Sequence, residues 1–197
     1  ALKQIAKSGK KILFVATKKQ AKLYVEEVAK SLNMPYITER WPGGLLTNFS
    51  TIRKSIKKMQ SIDKMKENGT FDTLSKRERL QIDRQRAKLE LNLGSIVKMT
   101  RMPEAIFIVD TNKEAIALSE ANKLGIRSFA MNDTNTDPRK VSFPIPSNDD
   151  ASKSIECVLN ILRNAITEGL NDRANEQDRK ANEKKDKAKK IVEEKTQ

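Results

Sequence analysis

"KILFVATKKQAKLYVEEVAKSLNMPYITERW", residues 11–41, decides how the rest of the chain is read. It opens on a short apolar run rich in β-branched and aromatic residues, 11–17, which has the character of a strand. Ala21, Tyr24 or Val25, Val28 and Leu32 then repeat at the spacing of one helix face over 18–32, and "PYITERW" at 35–41 returns to strand character. Strand, helix, strand is the signature of a βαβ unit, whose two strands run parallel.

Working outward, the alternation resumes with "AIFIVD" at 105–110, "RSFAMND" at 127–133 and "SFPIP" at 142–146, separated or followed by helical patterns at 112–124 and 149–168. "LGI" at 124–126 supplies a Gly stop before the fourth strand. The first, third and fourth runs are apolar enough for burial on both faces. The reading is therefore an α/β domain with a mostly parallel sheet. One link resists it: "TNTDPRKV", between the fourth and fifth strands, is too short for a helical crossover.

A long interruption separates the second and third strands. Phe49, Ile52, Ile56, Met59, Ile62 and Met65 follow helical spacing after a Thr-Asn cap signal, "ENGTFD" supplies an Asn-Gly turn, and a second helix is expected over 75–93. That helix carries two apolar stripes, Leu80, Ala87 and Leu91, and Ile82, Leu89 and Leu93. Residues 48–93 thus read as a projecting antiparallel helical hairpin inserted into an α/β domain of 1–47 and 94–169. At its root lies "RWPGGLLTNF", 40–49, where Gly43 and Gly44 permit positive φ and the chain's one tryptophan sits beside the turn. Trp41 either stacks on a partner or plugs the joint between hairpin and sheet.

Charge narrows the function. The chain of 197 residues has a formal net charge of +13, which points to a polyanion, most often nucleic acid. Residues 1–40 hold nine Lys/Arg against three Asp/Glu and 51–102 fourteen against six, whereas 103–169 hold seven against ten. A polyanion accordingly binds the first half, and Arg53, Lys54, Lys57 and Lys58 in the first turns of the hairpin suit phosphates spaced along a backbone. A membrane surface is the lesser option, because a paired hairpin hides its apolar seam. The segment 170–197 has nearly balanced charge and few apolar residues, and is expected to be a separate tail, solvent-exposed and helical at most.

Several chemistries are excluded or disfavoured. There is no His, and Cys157 lies in "SIECVLNIL" on what reads as a packed helix face, so no activated nucleophile is available. Neither GxGxxG nor GxxxxGK[ST] occurs where the strand ends would cradle a phosphate. Asp133, Asp137, Asp149 and Asp150 stand near those ends and could gather around Mg²⁺, but caps and turns are their commoner use. No apolar run approaches a membrane span, and a reduced cytoplasmic setting is the default. The absence of an initiating Met, with the chain starting inside an amphipathic pattern, predicts a preceding segment.

"ILFVATKKQA", "ITERWPGGLLTNFSTIRKSI", "GTFD", "KLELNLG", "MTRMPEAIFIVDTNKEAIALSEANKLGI", "DTNTDP" and "PIPSNDDASKSI", in that order across residues 2–169, resemble the bacterial-type small-subunit ribosomal protein S-two family. The resemblance implies a flavodoxin-like three-layer α/β/α domain with a five-stranded parallel sheet in the order 2-1-3-4-5, plus the inserted coiled-coil hairpin. It also implies binding of small-subunit rRNA between head and body, docking of the S-one family ribosomal protein beside neighbouring small-subunit proteins, a ribosome-bound location, and no catalysis, cofactor or small-molecule substrate. Zinc-binding members use side chains that this chain mostly lacks, so no metal is expected. Ala16, Pro42, Asn132 and Thr136 depart from the family pattern; a buried Asn132 needs partners or costs on the order of 1–3 kcal/mol. The candidate RNA contacts are Lys18, Lys19, Arg40, Trp41, Asn48, Arg53, Lys54, Lys57, Lys58, Lys98 and Arg101. The alternative is a flavodoxin-like nucleotide- or metal-dependent enzyme.

Overall fold

The apolar runs form the centre of the molecule. In a computed structural model that describes the backbone of residues 1–194 and the side chains of residues 1–179, five strands pair into one all-parallel sheet: β1 (Ile12–Val15), β2 (Tyr36–Ile37), β3 (Ala105–Val109), β4 (Arg127–Asn132) and β5 (Phe143–Pro146). Their spatial order is β2-β1-β3-β4-β5, as expected. β1 and β3 are buried throughout and β4 in all but its first residue, which is why their sequences do not alternate. β2 is shorter than the run 35–41, because the chain leaves the sheet after Ile37 to enter the Gly-Gly turn.

Successive strand residues face opposite layers. Ile12, Phe14, Phe107, Phe129 and Met131 pack beneath α1 (Leu2–Lys7), α2 (Lys19–Ser31) and α6 (Ser152–Glu194), with the Phe14 and Phe107 rings 5.7 Å apart. Leu13, Val15, Ile106, Ile108 and Ala130 face the other way, against α5 (Ala115–Lys123), Trp41, Leu45 and the roots of α3 (Phe49–Glu67) and α4 (Lys76–Leu93). The hairpin is therefore anchored in the second core layer through Ile56 and Leu93. Full burial of each such side chain contributes about 1.5–3 kcal/mol.

The link that resisted the scheme crosses without an α-helix. A 3-10 turn at Pro138–Lys140 and the buried Val141 cover the α5 side of the sheet, and Asn122 Nδ2 ties the crossing to α5 by donating to the Lys140 carbonyl at 2.8 Å. β5 is an edge strand, where Pro144 and Pro146 are tolerated. Its Phe143 stacks on Phe129 with ring centroids 4.5 Å apart.

Two expectations about the last helix change. α6 runs unbroken through the boundary placed at 169/170, because Leu170 still packs on the core and α1 lies along the continuation. Lys3 pairs with Glu168 and Asp172 at 3.0 and 3.5 Å, and Lys7 pairs with Glu176. Gly169 permits the crossing, since a Cβ there would lie 2.3 Å from the Lys3 carbonyl oxygen. Cys157, in turn, is exposed rather than packed. The buried face of α6 is set by Ile155, Leu159 and Ile166, and a residue two positions after Ile155 points away from it.

The two unusual residues at the β4 end partner each other. Asn132 is 7% exposed, its Nδ2 donates to Thr136 Oγ1 at 3.1 Å, and its Oδ1 has no partner. Thr136→Val is expected to destabilise by about 1–2 kcal/mol in urea denaturation, by orphaning the remaining amide. Replacing both Asn132 and Thr136 by Val should recover most of that loss, giving a coupling term that independent sites would not show.

Candidate nucleic-acid interface

The hinge at 40–49 is built around one carboxylate from another part of the chain. Glu120, on α5, is 8% exposed and receives five hydrogen bonds. Trp41 Nε1 and the Gly44 N–H donate to its Oε1 at 3.1 and 2.7 Å. The Leu46 N–H, Thr47 N–H and Thr47 hydroxyl donate to its Oε2 at 3.0, 3.1 and 3.1 Å. Burial would raise the Glu120 carboxyl, but the donors outweigh it and hold the group below the ordinary glutamate value. Of the two hinge glycines, only Gly44 uses the left-handed backbone, at φ 81°, whereas Gly43 has open space where a Cβ would stand.

Trp41 is therefore the plug. It is 7% exposed inside the second core layer, and its indole N–H is consumed by Glu120, which removes it from the candidate RNA contacts. Asn48 is exposed at the start of α3 but does not cap it through its side chain. Its Oδ1 instead accepts the Ser50 and Thr51 hydroxyls at 3.3 and 2.8 Å.

Beyond the hinge, α3 and α4 pair through Ile56, Met59 and Ile62 on one side and Ile82, Leu89 and Leu93 on the other. The other expected stripe of α4 is not a seam: Leu80 and Leu91 are 52% and 65% exposed, and Ala87 is exposed too. Charge locks the pair, with Arg86 on Asp63 and Lys66 on Asp83, both at 2.6 Å. A capping box of Ser75 and Glu78 starts α4. On the outward face of α3, Lys54, Lys57 and Lys58 are exposed and without an acidic partner among the described residues. Lys64, about two helical turns beyond Lys57, is exposed on the same face and was not among the sequence candidates. Arg53, at the edge of this face, is half-buried and donates to the Met99 carbonyl at 3.2 Å.

The remaining candidates divide by sheet edge. Arg40, Lys19, Lys98 and Arg101 are exposed. Lys18 is not available: its ammonium lies 3.2 Å from Asp110, 2.8 Å from Asp149 and 2.6 Å from Asp150, at the carboxyl ends of the strands. Burial would lower the Lys18 ammonium, yet hydrogen bonds to the three aspartates hold it above the ordinary lysine value. Of the four acids weighed for Mg²⁺, Asp133, Asp149 and Asp150 converge, each offering an oxygen within 4.8 Å of the others, and Lys18 is the counter-cation of the last two. Asp137 instead accepts from the Arg139 N–H and side chain. A phosphate finds net negative charge at this edge.

Residues 1–169 match the model of the family described as Ribosomal protein S2. The chain belongs to that family. Relatives that carry the name small ribosomal subunit protein uS2 include those of Flavobacterium johnsoniae, 65% identical over 183 residues, and of Christiangramia forsetii, 65% identical over 176. That of Phocaeicola vulgatus is 65% identical over 173 residues. The matches cover 93%, 89% and 88% of this chain but 72%, 59% and 62% of those relatives. These S2-family relatives are named as ribosomal proteins and not as enzymes.

Glu120→Gln sets an amide NH₂ against backbone donors and is expected to cost about 3 kcal/mol at neutral pH. Because the folded-state carboxyl is held below the ordinary 4.5, its stabilisation is fully present above that value and fades as pH falls through the folded-state pKa. Urea titrations should therefore show the gap between wild type and Glu120→Gln closing in acid. At the turn itself, Gly44→Ala should cost about 1–2 kcal/mol and Gly43→Ala less than about 0.5 kcal/mol.

Proposed function

We propose that this S2-family chain is a structural component of the small ribosomal subunit that binds rRNA through the outward face of its hairpin and does no chemistry. The row Lys54, Lys57, Lys58 and Lys64 carries the reading, since four ammonium groups without an acidic partner among the described residues project from a helix whose opposite side is anchored in the core. Such a row neutralises successive phosphates and releases their counterions. Arg40 extends it at the hinge. Placement between head and body, and docking of the S-one family protein, are finer parts of the proposal and are supported by the family resemblance. A ribosome-bound, cytoplasmic location follows from the same reading; among the described residues no helix is long and apolar enough to cross a membrane.

The salt dependence of affinity for a small-subunit rRNA transcript tests this. Changing Lys54, Lys57, Lys58 and Lys64 together to Ala should leave the circular dichroism spectrum and the melting transition in place. The slope of log K against log salt should fall by about 3. An unchanged slope would reject the hairpin face as the interface.

A further inference from the structure

The amino-terminal edge of the sheet holds a second collection of positive charge. A cavity of about 400–500 Å³, 490 Å³ by volume, opens between Gly9–Lys11 and the segment 98–104 that enters β3, and a smaller one of 200 Å³ adjoins it across Lys11 and Lys98. Three segments deliver cations here: Lys10 and Lys11 before β1, Lys98 and Arg101 from the loop after α4, and Arg173 from α6. The one carboxylate of the larger cavity, Glu104, is already engaged by Lys10 at 2.6 Å and approached by Arg127 at 4.0 Å. Lys11 spends one donor on the Asn33 carbonyl at 2.7 Å. Lys98, Arg101 and Arg173 have no acidic partner among the described residues.

Arg173 reaches this edge because residue 9 has no side chain. Its guanidinium lies against Gly9, whose backbone has φ 74° and where a Cβ would come within 1.9 Å of Arg173 Nη1. The crowding is felt electrostatically: burial first, then Arg173 and Lys98, lower the Lys11 ammonium below the ordinary lysine value. Gathering like charges in a partly enclosed site is unfavourable unless an anion joins them. The site is also continuous with the hairpin face, since Arg53 donates to the carbonyl of Met99, which lines both cavities.

We propose that Lys11, Lys98, Arg101 and Arg173 form a second phosphodiester-binding site, which extends the path of the rRNA backbone from the hairpin to the amino edge of the sheet and recruits the last helix to it. The proposal rests on the rRNA-binding reading above and adds a separate set of contacts, with α6 contributing a ligand from a segment that composition alone marked as a tail.

The test uses the full chain and the small-subunit rRNA transcript, with and without the four hairpin substitutions. Lys98→Ala with Arg101→Ala should weaken binding about tenfold and lower the salt slope by about 2, and Arg173→Gln alone should lower it by about 1, in both backgrounds. Melting transitions check that each variant folds. A slope lowered by the hairpin substitutions but not by Lys98→Ala with Arg101→Ala, nor by Arg173→Gln, would overturn this site and leave the hairpin reading standing. Slopes unmoved by either set would reject both faces as the rRNA interface, whereas a transcript that does not bind at all would reject the rRNA-binding reading itself. Calorimetric titration with tripolyphosphate separates the other source of phosphate: tight binding lost in the Lys98/Arg101 variant, with rRNA affinity unchanged, would assign the site to a free polyphosphate and overturn the proposal.

Discussion

A single buried carboxylate sets the geometry on which everything else depends. Glu120 lies in the second core layer, where an unpaired charge would be expelled or neutralised, and it persists as an anion because five donors from the hinge converge on it. Three of the five bonds satisfy backbone N–H groups, of Gly44, Leu46 and Thr47, that a sharp turn would otherwise leave orphaned. The turn, the tryptophan plug and the residues leading into α3 are thus fixed to α5 by one side chain. Since the hairpin leaves the domain at this point, the direction of its cationic face follows from the same interaction.

The charge of the molecule is sorted by edge. At the carboxyl ends of the strands, where open α/β folds hold ligands, Asp110, Asp149 and Asp150 surround Lys18 and form an internal ion cluster. The position that a phosphate-binding loop occupies in nucleotide enzymes is thereby filled by carboxylates and their own counter-ion. Unpaired cations collect instead on the hairpin and at the amino ends. This separation gives a net basic chain a defined track for a polyanion rather than a uniform positive surface.

Much of the architecture was legible because the signals were local. The runs 11–17, 105–110 and 127–133 are continuous and apolar, the helix over 18–32 has a clean buried stripe, and the hairpin announces itself by spacing and an Asn-Gly turn. The partners that complete each site were not local. Glu120 stands 76 residues from Gly44 and resembles an ordinary surface acid on a helix; the available signal was its place between the buried Ala117 and Ala121. Lys18 looked like a surface cation because its three aspartates come from two distant segments, Asp110 after β3 and Asp149–Asp150 before α6. Arg173 sat in a segment whose composition suggests no fold, and only the crossing of α1 over Gly169 brings it back to the sheet. The two stripes on α4 could not be ranked without knowing where α3 lies.

The claim that the Glu120 node aims the hairpin can be tested by distance. Spin labels on the exposed Cys157 and on a cysteine introduced at Thr70, at the hairpin tip, would report the separation between domain and tip by pulsed electron paramagnetic resonance. A narrow distance distribution is expected in the wild-type background, and a broadened or shifted one in Glu120→Ala at a temperature where both chains remain folded. An equally narrow, unshifted distribution in the variant would contradict the account.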